Sequence, residues 1–117
     1  MTLLIGQPRE VVLRASWSGS LRVEWGSTID PTGITPQFLV TATTVEDPPS
    51  TGWIAGSWNS GNYNNAGTGW TYAYTPTIGS NSTSFTLTSG TRYRLWMRVP
   101  NLGSEDEPLL CGTIWCP

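Results

Sequence analysis

Arg92, Arg94, Trp96 and Arg98 recur at every second position of TRYRLWMRV. Successive side chains of a strand point to opposite faces, so this spacing sets three guanidinium groups and one indole on the same side. Arg and Trp are over-represented where one protein grips another. The chemistry they offer is recognition: planar forks that match carboxylates, and a wide apolar plate. The same pattern also suits an ordinary solvated face, with Arg stacked along Trp96 and paired across strands with an acid such as Glu24.

A second group is aromatic: Trp53, Trp58, Tyr63, Trp70, Tyr72 and Tyr74. Trp70, Tyr72 and Tyr74 share one face of a strand and are expected in a core layer. Trp53, Trp58 and Tyr63 lie nearer the polar stretch SGNYNNAGTG and are expected at the surface or in an interface. The candidate partner-binding residues are therefore Arg92, Arg94, Trp96, Arg98, Trp53, Trp58 and Tyr63. With Asn59, Asn62, Asn64 and Asn65 beside them, exposed rings would also suit stacking on sugars, which makes a glycan a second candidate ligand.

The remaining polar residues offer little for catalysis. Glu105, Asp106 and Glu107 are consecutive and do not converge as a Ca²⁺ loop does, so they read as a solvated hairpin tip. Asp30 and the pair Glu46-Asp47 precede prolines and read as turn residues. No spacing holds two carboxylates across a cleft. Asn81-Ser82-Thr83 is a formal glycosylation sequon that marks a surface turn. Cys111 and Cys116 fall on opposite faces of an extended strand and are expected as free, buried thiols.

The chain has no His, and its six basic residues are all Arg. Histidine bases, His–metal sites, Ser–His and Cys–His pairs, Schiff-base lysines and P-loops are thereby excluded within it. Enzyme is the least expected class, and no cofactor or metal is expected. Net charge is −2 and the pI about 4.8, so the basic footprint of a nucleic-acid binder is missing. No apolar run is long enough to span a membrane. The opening MTLLIGQPREVV lacks the basic flank and long apolar stretch of a signal peptide.

These side chains must be positioned by strands. The 117 residues suit one domain, 1–117. Apolar residues recur at period two, not at i, i+3, i+4, which predicts an all-β chain of seven or eight strands. Expected strands are Arg9–Ala15, Ser20–Trp25, Gln37–Thr44, Gly52–Trp58, Trp70–Thr75, Ser82–Thr88, Thr91–Val99 and Leu109–Cys116. In Thr91–Val99, Tyr93, Leu95, Met97 and Val99 are expected inward. Turn chemistry separates the strands, and short strands at this spacing predict an antiparallel two-sheet sandwich. Residues 45–78 read as a long irregular insertion.

Ser20-Leu21-Arg22-Val23-Glu24-Trp25 resembles the second strand of a fibronectin type III domain. Asp30-Pro31-Thr32-Gly33 with Phe38-Leu39-Val40 resembles its third. Ser84-Phe85-Thr86-Leu87 and Tyr93-Arg94-Leu95-Trp96-Met97-Arg98-Val99 resemble its fifth and sixth, and Ser104 to Cys116 its closing hairpin. The resemblance covers about two-thirds of the chain and implies an immunoglobulin-like sandwich, a fold that does not fix function. Thr88 to Arg92 form a shorter link than the family's, which leaves the tyrosine-corner hydrogen bond open.

A small sandwich opening on its own Met, without an export signal and rich in Thr, Gly and Trp, resembles a tailed-bacteriophage virion component. That resemblance implies a non-enzymatic capsid decoration or minor capsid protein, assembled in the host cytoplasm and located in the virion. Its partners would be major capsid or other virion subunits in a multi-copy assembly, with neither nucleic acid nor membrane. The rival readings are a carbohydrate-binding module and a tail or head–tail component.

Overall fold

The computed structural model describes residues 2–4, 9–14, 17–26, 29–59, 70–79, 82, 84–102 and 107–117. Tyr63, Asn62, Asn64, Asn65 and the tip residues Glu105 and Asp106 lie outside them. The strands are β1 (Thr2–Leu4), β2 (Arg9–Val12), β3 (Ser18–Gly19), β4 (Arg22–Gly26), β5 (Gln37–Ala42), β6 (Ile54–Ala55), β7 (Ser57–Trp58), β8 (Trp70–Tyr74), β9 (Ile78–Gly79), β10 (Phe85–Thr86), β11 (Thr91–Arg98) and β12 (Leu109–Cys116). No helix occurs among the described residues, so none is long and apolar enough to cross a membrane. The protein is all-β, as the period-two pattern predicts.

Three sheets form, with strand orders β1-β4-β8-β7, β10-β9-β3 and β2-β12-β11-β5-β6. Their arrangement is compatible with a β-sandwich. The expectation of purely antiparallel pairing is corrected: β1 with β4, β2 with β12 and β9 with β10 run parallel. One N-terminal stretch thus edges both large sheets on one side. On the other side β6 edges the five-stranded sheet and β7 the four-stranded one, with Gly56 between them. The stretch 45–78 contains β6, β7 and β8 and the first residue of β9.

Two faces meet in one core. Val23, Trp25 and Ala73 come from the four-stranded sheet; Val11, Phe38, Leu95, Met97 and Ile114 come from the five-stranded sheet. On β11 the predicted alternation holds: Leu95, Met97 and the following Val99 are fully buried, and Tyr93 packs on the core from its edge. Val23 and Trp25 on β4 stand opposite Ala73 and Thr71 on β8. The indole of Trp25 fills that layer, so small residues face it. This reverses the expectation for β8: Tyr72 and Tyr74 lie on the outer face, half-buried, with the Arg22 guanidinium 4.6 Å over the Tyr72 ring.

A bulge changes the phase of β12. Leu95 pairs with Gly112 but Trp96 with Leu110, which leaves Cys111 as the extra residue. Cys111 and Cys116 therefore both enter the core cluster, not opposite faces, and both are free thiols. Burial pushes the Cys111 thiol far up from its ordinary pKa, so it stays protonated. Tyr93 Oη accepts a hydrogen bond from the Thr88 N–H, 2.8 Å away and five residues upstream, across the short link.

Candidate interaction surface

Residues paired across a sheet share a face. On the outer face of the five-stranded sheet, Arg92 pairs with Trp115, Arg94 with Thr41 and Thr113, Trp96 with Leu39 and Leu110, and Arg98 with Gln37. The four residues predicted to align on β11 do align, and β5 and β12 extend the surface on either side.

Each large side chain there is held. The Arg92 guanidinium lies 4.1 Å over the Trp115 ring and its Nε donates to Glu10 Oε2 at 3.1 Å. Arg94 Nη1 donates to the Val45 carbonyl at 2.5 Å. Arg98 Nε donates to Gln37 Oε1 at 2.8 Å, and its guanidinium lies 4.3 Å over the Trp53 ring. Trp53 is itself fixed, its Nε1–H donating to the Pro49 carbonyl at 2.8 Å. Exposed cation–π stacks of this kind contribute about 0.5–1 kcal/mol each. Their larger effect is to hold long side chains in one rotamer, so that less freedom is lost when a partner arrives.

Trp96 points outward, as its position predicts, yet is only 7% exposed. Leu39 and Leu110 flank it across the strands, and its Nε1–H donates to Thr41 Oγ1 at 2.9 Å, whose hydroxyl donates on to the Ala42 carbonyl. Among the described residues Arg92 and Arg98 stack on Trp115 and Trp53 and not along Trp96, which is closed in and offers a partner little surface. The acid that bonds to the row, among the described residues, is Glu10 of β2, through Arg92. Glu24 belongs to β4 in the other sheet, so the cross-strand pairing with Glu24 is corrected.

Arg92–Glu10 is the salt bridge formed among the described residues; it is exposed on both sides, and such pairs contribute about 0–1 kcal/mol. Arg94 and Arg98 have a carbonyl and an amide as partners and no carboxylate among the described residues. Their charge is oriented, and no described carboxylate is paired with it. Beyond them the face continues into Val12, 48% exposed on β2. Trp115, Glu10, Gln37 and Val12 were not singled out from sequence. The signal for Trp115 is its alternation with Ile114 and Cys116, readable once β12 is placed beside β11.

Trp58 stands apart from this surface. It lies on β7, packs against the core half-buried, and its Nε1–H donates to the Ile34 carbonyl at 2.7 Å. It forms one wall of a cleft of about 220 Å³ lined by the turn 32–36 and by Gly56 and Ser57. That turn is built as its Asp-Pro-Thr-Gly sequence predicts. Both the hydroxyl and the N–H of Thr32 donate to Asp30 Oδ1, at 2.6 and 3.0 Å, and hold the Asp30 carboxyl below its ordinary range. No group of three or more potential metal ligands converges among the described residues. No protein-family model, curated protein or solved structure matches this chain.

Proposed function

We propose that the chain is a non-enzymatic structural protein of a tailed-phage virion, a capsid decoration or minor capsid protein. It docks through the outer face of its five-stranded sheet onto carboxylate-bearing surfaces of neighbouring shell subunits. The observation that carries the reading is the preset pair Arg94 and Arg98. Both guanidiniums are fixed by internal hydrogen bonds, Arg98 also stacks on Trp53, and no carboxylate among the described residues neutralises either. Held forks of this kind match a partner's acids in two-point contacts, with apolar surface beside them. The fold reading that goes with it is immunoglobulin-like. The order β12-β11-β5-β6 follows the last, sixth, third and following strands of a variable-type sheet, and the Tyr93–Thr88 bond resembles a tyrosine corner. Many copies on a symmetric shell would add modest contacts into firm attachment.

The test is the composition of particles purified from the lysate in which the chain is made. The chain should sediment with them in a fixed copy number, and raised salt or the double variant Arg94→Ala/Arg98→Ala should release it. Recovery of the wild-type chain only as free protein, with none on particles at low salt, would overturn the reading.

A further inference from the structure

The cleft beside Trp58 has its own chemistry. The described residues that line it are Thr32, Gly33, Ile34, Thr35, Pro36, Gly56, Ser57 and Trp58, none of them charged. An ionic ligand would find no counter-charge among them. The indole that walls the cleft cannot swing, because its N–H is committed to Ile34 and part of the ring packs on the core. The Thr32 hydroxyl gives its proton to Asp30, so toward any other group it can only accept. Thr35 adds a second hydroxyl, free to donate or accept, while Ser57, paired with Tyr74, turns its side chain to the opposite face of the sheet from Trp58. At about 220 Å³ the cleft is smaller than the roughly 300–1,000 Å³ that enclose a drug-sized molecule. It has room for one ring.

We propose that this cleft binds a single neutral pyranose. The sugar would lay its C–H face on the Trp58 indole and exchange hydrogen bonds with Thr32 and Thr35. A pyranose combines the two properties the lining asks for, an apolar face and a rim of neutral hydroxyls. An aliphatic ligand would leave the hydroxyls unmatched, and an anionic one would meet the Asp30 carboxylate beside Thr32.

The experiment is an amide ¹H–¹⁵N titration of the whole chain with methyl β-D-galactopyranoside, methyl β-D-glucopyranoside and, as the charged comparator, N-acetylneuraminic acid. A small, single-ring ligand should bind at ~1–10 mM. At least one neutral glycoside should shift the amides of Thr32–Thr35, Ser57 and Trp58 saturably, and the acid at least tenfold more weakly. The blocking variant is Gly33→Leu. A Cβ on Gly33 meets no heavy atom within 4 Å, so this variant should keep the wild-type melting temperature while binding falls tenfold or more. No saturable shift with either glycoside, shifts confined to other surfaces, equal binding of the acid, or undiminished binding by a folded Gly33→Leu would each overturn the proposal.

Discussion

Gly56 is where the chain leaves one sheet and enters the other, and replacing it with Ala tests the packing of that crossing. A Cβ there would lie 2.3 Å from the Tyr74 carbonyl oxygen and 2.5 and 2.9 Å from two carbons of the Phe38 ring. Ordinary contacts of this kind are longer by about 1 Å. Neither neighbour can withdraw. Tyr74 is paired with Ser57 and Arg22 in the four-stranded sheet, and Phe38 is fully buried in the core. Overpacking of a tight site costs about 1–3 kcal/mol. Shifting the backbone to relieve it also strains the 2.9 Å bond from the Gly56 N–H to the Pro36 carbonyl, worth about 1 kcal/mol. The lower entropy of the unfolded Ala chain returns about 0.4–1 kcal/mol. The expected net loss is about 2–3 kcal/mol, or roughly 8–12 °C in Tm for a domain of this size. Urea unfolding of Gly56→Ala should show it as a lower midpoint with an unchanged slope. Gly33→Ala is the matched control, since its Cβ enters open space; it should be neutral or slightly stabilising. A Gly56→Ala protein within about 0.5 kcal/mol of wild type would refute the reasoning that two buried neighbours fix this position.

Arg98 and Trp53 should couple by about 0.5–1 kcal/mol in a double-mutant cycle read by urea unfolding, and zero coupling would mean that the stack is not held in solution. Tyr93→Phe removes the acceptor of the Thr88 N–H, and a loss of about 1 kcal/mol in the same assay is expected. Cys111 and Cys116 are both buried and free, so Ellman's reagent should label neither in the native protein and both once urea unfolds it; prompt native labelling would contradict their placement in the core.

The longest patterns were the most legible. Arg92 to Val99 alternates without interruption, and the structure keeps both its core side and its outer row. Four features escaped for physical reasons. β1 and the pairs of β3, β9 and β10 are two or three residues long, too short for any periodicity. Parallel pairing of the N-terminal stretch is set by tertiary placement, which local pattern does not encode. The phase of β8 turned on what stood opposite: Trp25 takes the space that Tyr72 and Tyr74 were expected to fill. The parity of the cysteines failed because one bulge residue moves everything before it to the other phase. The same blindness to sheet membership set Glu24, rather than Glu10, against the arginine row.

The side-by-side, same-direction run of β2 and β12 has a mechanical meaning. Tension pulling back on the chain before Arg9 and forward beyond Cys116 would slide these two strands lengthwise. The register from Arg9↔Gly112 to Val12↔Trp115 then loads its hydrogen bonds together instead of unzipping them singly. Optical-tweezer extension with handles at those two points should record one abrupt, high-force yield of the pair, whereas handles at Thr91 and Cys116, paired at the same end of antiparallel β11 and β12, should peel them at lower force.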